Sequence, residues 1–96
     1  MKTKSSEKIA GGKLVRVELD FESKINSAKI TGDFFMHPET VIEDLEKSLK
    51  GLSAAAEQIE IKNKLDKIIS EKNATLYGVT TDDIARVAKT ALGVKQ

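Results

Sequence analysis

A chain of 96 residues, 40% hydrophobic and 32% charged, has the balance of one small globular domain near the lower size at which a single core holds. Its lack of cysteine excludes disulfides, thiolate chemistry and cysteine-held clusters. A formal net charge of +1 gives no pull toward nucleic acid or an anionic membrane, so neither is expected as a partner. Phe21, Phe34, Phe35 and Tyr77 are the only aromatic side chains, so the core must be largely aliphatic.

Residues 1–96 are read as a single domain. Residues 1–10 are polar and fit either an edge strand or a polar arm. They hold no apolar stretch of the signal-peptide kind, and no run in the chain approaches the ~18 apolar residues that span a bilayer. A cytoplasmic location is therefore expected.

Residues 11–36 read as a β-hairpin entered through a Gly11-Gly12 turn. Val15, Val17, Leu19 and Phe21 alternate with Arg16, Glu18 and Asp20, the period of a half-buried strand. On the second strand Ala28, Ile30 and Phe34 share one parity, and Ser27, Lys29, Thr31 and Asp33 the other. A turn at Ser23-Lys24 sets Leu19 against Ala28, Val17 against Ile30 and Val15 against Gly32, with Glu18 across from Lys29 on the polar face. A one-residue slip destroys both patterns. Ser23-Lys24 is not the favoured Asn-Gly type, so a wider loop also fits.

Residues 38–96 read as helical. Pro38 suits a first helical position, Val41, Ile42, Leu45 and Leu49 follow at helical spacing, and Gly51 stands as the C-terminal cap. Ser53 caps a second stretch whose stripe is Ile61, Leu65, Ile68 and Ile69. Ile59 lies off that stripe, which predicts a break near residues 57–60 and two helical pieces. Thr80 or Thr81 caps a last helix with Ile84, Val87, Ala88, Ala91 and Leu92 on one face, ending at Gly93. Strands followed by helices give an α+β class: a two-layer fold, a small antiparallel β-meander of two or three strands covered on one face by three or four helices.

Residues able to carry chemistry are few. Gly12-Lys13 lacks the remainder of a phosphate loop and enters a strand, not a helix. His37, the only histidine, has no nucleophile or companion ligand in view, and its place before Pro38 suits capping or solvent contact. Glu39 belongs with the acids that favour a helix front. Thr80-Thr81-Asp82-Asp83 lacks calcium-loop spacing and is explained by capping. No catalytic, cofactor-binding or metal-ligating residue is expected in this chain. Phe34 continues the buried parity, which leaves Phe35 two readings. Either a bulge at Gly32 turns both rings inward, or Phe35 is exposed as a docking anchor.

Gly11-Gly-Lys-Leu-Val-Arg-Val-Glu-Leu19, Ile30-Thr-Gly-Asp-Phe-Phe35, Pro38-Glu39 and the helix ending Leu49-Lys-Gly51 resemble the C-terminal domain of lipoate-protein ligases. The likeness is to the free-standing version, the small subunit of a two-component ligase typical of archaea. Motif detail covers about residues 8–51. Beyond them the helical pattern carries it through Tyr77-Gly78-Val79, Asp82-Asp83-Ile84 and the last helix. The resemblance implies a non-catalytic accessory subunit, in a heterodimer with a large catalytic subunit that holds lipoate, ATP and Mg2+ and makes lipoyl-AMP. The lipoyl group then passes to a lysine of a lipoyl carrier domain, which the small subunit serves only indirectly, being needed chiefly for adenylation. It also implies a fold similar to that of sulfur-acceptor and iron–sulfur scaffold proteins, although the missing cysteines argue against sulfur transfer. The interface expected with the large subunit comprises Asp33, Phe34, Phe35, His37 and Pro38. The alternative is a stand-alone protein-interaction module docking through the Phe35 surface.

Overall fold

The alternating segment Lys13–Phe21 forms the central strand, β2, of a three-stranded antiparallel sheet. It lies between β1 (Lys2–Ile9) and β3 (Ile25–Gly32). Val15, Val17, Leu19 and Phe21 are all buried, because alternate side chains of a strand share one face. The computed structural model, which describes residues 1–94, pairs Leu19 with Ala28, Val17 with Ile30, Val15 with Gly32 and Glu18 with Lys29, as the alternation predicts. The closing loop is wider than a turn at Ser23-Lys24. The register shifts after Asp20, so that Phe21 pairs with Ile25 and Asn26 is the extra residue.

Residues 2–9 are an edge strand despite their polarity. Their inward positions find polar partners on a helix. The buried Thr3 hydroxyl donates to the Ala91 carbonyl oxygen at 2.8 Å, and the Glu7 carboxylate receives the Arg86 guanidinium.

The second hairpin strand does not run on to Phe35. It stops at Gly32 (φ +155°), where a Cβ would lie 2.0 Å from the Leu14 carbonyl oxygen, and the next N–H, of Asp33, donates to that oxygen at 2.9 Å. The chain then begins a separate strand, β4 (Phe35–His37), paired antiparallel with β5 (Thr75–Tyr77). This second, two-stranded sheet is an addition to the meander expected from sequence.

Helix α1 (Val41–Leu49) begins three residues later than a start at Pro38. Pro38–Thr40 instead form a turn in which the Val41 N–H donates to the Pro38 carbonyl at 3.1 Å, carrying the chain from β4 into the helix. The predicted pair of helical pieces after Ser53 is one helix, α2 (Gln58–Glu71), opened by a Glu57–Glu60 capping box. Residues 51–54 are held non-helical by the loop between β2 and β3. Gly51 N–H donates to Ile25 O (2.9 Å), Ile25 N–H to Leu52 O (2.8 Å) and Ala54 N–H to Ser23 O (2.9 Å). The described residues therefore contain three helices, the last being α3 (Thr81–Leu92).

Helix α3 lies over β1 and β2, α1 over β3, and α2 packs on both helices. Val17, Leu45, Leu49, Ile61, Leu65 and Ile84 are fully enclosed between these elements, and Met36 of β4 and Val79 after β5 join the same cluster. One aliphatic core thus carries both sheets. None of the helices is long and apolar enough to cross a membrane.

Candidate functional site

Period-two alternation in the short ribbon of β4 and β5 decides what the surface displays. Met36 (4% exposed) turns into the core with Leu76 packed against it, so Phe35 and His37 of β4 face outward with Thr75 and Tyr77 of β5. Phe35 is 67% exposed and Tyr77 54%, and the two are direct cross-strand partners. Opposed residues on one face lie close enough for their rings to form a continuous apolar patch. The other large exposed hydrophobics among the described residues, Met1 before β1 and Ile59 on α2, lie outside this ribbon.

The expected interface residues fall around this patch. His37 shares its face, opposite Thr75, and Pro38 follows, exposed, at the turn into α1. Asp33 is exposed at the entrance to β4, held by its backbone bond to Leu14. Phe34 does not share the outer face; it is half-buried and packs on the core. Of the two readings of the aromatic pair, then, the exposed Phe35 is the one realised. A bulge that buries both rings does not form, because the strand ends at Gly32. A groove of about 210 Å³ runs beside the patch, bordered by Phe34, Phe35, Glu39 and Ile42.

Tyr77 is the residue that sequence reasoning missed. Its three-residue strand lies between Asn73 (φ +51°) and Gly78 (φ +94°), two left-handed positions that punctuate a loop, and three residues are too few to show a period. Gly78 also brings the Gly12-Lys13 turn to this corner. A Cβ at Gly78 would meet the Lys13 side-chain carbons at 3.6–3.8 Å, so the lysine stem lies against the backbone next to Tyr77.

Displaced ionisation equilibria lie elsewhere and have structural causes. Burial pushes Asp83 up, but the Thr80 N–H and hydroxyl and the Arg86 guanidinium outweigh it and hold the carboxyl below its usual range. Burial likewise pushes Asp66 up, but the Lys62 ammonium (2.6 Å) and Thr81 hydroxyl (2.6 Å) outweigh it and hold that carboxyl below its usual range. Arg86 is pushed up by hydrogen bonds to Glu7 and then Asp83. Thr80 and Asp83 form a reciprocal capping box at the start of α3, which is the capping role read from the sequence. Among the described residues no three His, Asp or Glu side chains gather as a metal cluster. The corner displays two aromatic rings, Phe35 and Tyr77, to solvent.

The family model described as the bacterial lipoate protein ligase C-terminus matches residues 1–87. The chain belongs to this family. The match runs from β1 into α3 and includes the whole of the Phe35–Tyr77 corner. Among solved structures, the chain is similar to one from an archaeal lipoylation system, described as a bi-partite lipoate protein ligase and its E2 lipoyl domain from Thermoplasma acidophilum. Sequence identity is 29%, the TM-score is 0.70, and the match covers 99% of this chain and 98% of that one. A search of the curated proteins found no significant match. Family and structural likeness agree on a lipoate protein ligase C-terminal domain with an α+β fold.

Proposed function

We propose that this chain is the non-catalytic accessory subunit of a two-component lipoate protein ligase, required for activation of lipoate to lipoyl-AMP. One observation carries the reading. The chain matches, end to end, a chain from a ligase described as bi-partite, within a family whose model describes a ligase C-terminus. In this reading lipoate, ATP and Mg2+ are held by a separate catalytic subunit, with which the chain forms a heterodimer. A lysine of a lipoyl carrier domain receives the product and meets this chain only indirectly.

The chain's contribution is positional. Adenylation must hold a carboxylate and a triphosphate, both anionic, in line and away from water, so ordering the loops around them lowers the barrier. A rigid domain docked at the mouth of such a site supplies that order without supplying a reacting group. The proposed docking surface is the Phe35–Tyr77 patch, rimmed by Asp33, His37 and Pro38 and supported from beneath by Phe34. Exposed aromatics ringed by polar groups have the anatomy of an interface hot spot.

The deciding experiment measures lipoyl-AMP formation by the purified catalytic subunit with increasing amounts of this chain. Formation should be slight without the chain and rise until the two are equimolar. An undiminished rate without the chain overturns the accessory role. Micromolar binding of ATP to this chain alone, seen by calorimetry, overturns its assignment as non-catalytic.

A further inference from the structure

The two edges of the three-stranded sheet are finished differently. Phe21 N–H donates to the Met1 carbonyl at 2.9 Å, which fixes the hydrogen-bonding phase of the β1–β2 ladder. With the observed register, Thr3–Leu19, Ser5–Val17 and Glu7–Val15 are the bonded pairs. The N–H and C=O groups of Lys4, Ser6 and Lys8 therefore point away from β2. The same reasoning from Asp33 N–H on Leu14 O turns the Ile30 N–H out of β3, and there the Glu46 carboxylate of α1 accepts it at 2.7 Å. The β3 edge thus has one outward N–H capped by a helix side chain, whereas among the described residues no other element bonds the backbone of Lys4, Ser6 or Lys8.

The side chains beside the open edge are charged with one dominant sign. On the sheet face away from the helices, Lys4, Lys8, Arg16 and Lys29 outnumber Glu18 and Asp20, in a chain of net charge only +1. A depression of about 550 Å³ has Lys4, Glu18, Asp20 and Lys29 in its lining, together with Val94 beyond α3. We infer that β1 is the docking edge for an extended acidic segment of a partner protein, added as a fourth strand with carboxylates at alternate positions opposite Lys4 and Lys8. Lysines on an edge repel a second copy of the same strand, which keeps the edge unpaired. The same charges attract an acidic strand, so one device both excludes the wrong partner and selects the right one.

The probe is a short synthetic peptide alternating glutamate and threonine, added to the full chain and followed by amide hydrogen exchange. Saturating peptide should slow exchange at Lys4, Ser6 and Lys8 by about tenfold or more. Reversing both lysines, Lys4→Glu with Lys8→Glu, should weaken binding by about tenfold at low salt. Ser6→Pro should fold, because the lost N–H faces outward, and should not bind. A peptide N-methylated at alternate residues tests the same backbone bonds on the unaltered chain and should also fail. Equal binding by a lysine–threonine peptide, by the N-methylated peptide or by folded Ser6→Pro overturns the inference. So does unchanged exchange at millimolar peptide, or a free chain that sediments as a dimer with these amides already protected.

Discussion

At Phe35 the polypeptide leaves a large apolar side chain 67% exposed directly across from another, Tyr77, at 54%. Burying such a ring in a partner gains free energy that its exposure in the isolated chain does not, so truncation separates docking from folding. Phe35→Ala should weaken association with the catalytic subunit by about 2 kcal/mol or more, with little change in melting temperature. Tyr77→Ala should act similarly. Isothermal titration alongside thermal unfolding checks both, and a stable Phe35→Ala chain with undiminished affinity removes the corner from the interface. Gly32 is the opposite case. With its φ of +155° and Leu14 O at 2.0 Å from a would-be Cβ, Gly32→Ala should cost more than about 1 kcal/mol in urea denaturation. The sequence left Phe35 with two readings because parity counted along β3 means nothing once Gly32 ends the strand. Tyr77 was illegible because its partner comes from a distant part of the chain.

Among elements, legibility followed how local the determinants are. The β2–β3 register was readable because one face is wholly apolar, and α3 because Thr80, Asp83 and the stripe from Ile84 to Ala91 all lie within it. The start of α1 and the non-helical residues 51–54 were not, since their backbone bonds go to β2–β3 and to the Pro38 turn. The capping box that made α3 legible also makes it acid-sensitive. Asp83 and Asp66 are both held below the usual carboxylate range, so each is more readily ionised folded than unfolded. Their stabilisation is thus complete above the unfolded carboxylate pKa of about 4 and is lost as pH falls through their lower folded values. Asp83→Asn should be less stable than the parent chain at neutral pH, and the gap should close as the pH drops below about 4. Urea midpoints measured across that range provide the check; a gap that stays constant rules out titration of Asp83 as the cause.

Over the whole molecule, one hydrophobic cluster runs from Val15 through Leu45 and Leu65 to Met36 and Val79, so the β4–β5 ribbon rests on the same core as the main sheet. That continuity has a functional consequence. A patch held rigid before the partner arrives avoids the entropy of ordering it on binding. If the ribbon were a loosely attached flap, the aromatic pair would open at lower temperature than the helices. The chain carries its own reporter for this distinction. Tyr77 is its only tyrosine and there is no tryptophan, so intrinsic fluorescence reads β5, while far-ultraviolet circular dichroism reads mainly the three helices. The two signals should melt with one midpoint, as expected for a cooperative small domain. Leu65→Ala, which empties a fully buried site on α2, should cost about 2–5 kcal/mol and lower both midpoints together. A Tyr77 transition that precedes the loss of helix, or that stays in place in Leu65→Ala, shows the ribbon to be independent of the core. In that case the corner is ordered only by its partner, and mutations at Phe35 act on that ordering as well as on contact.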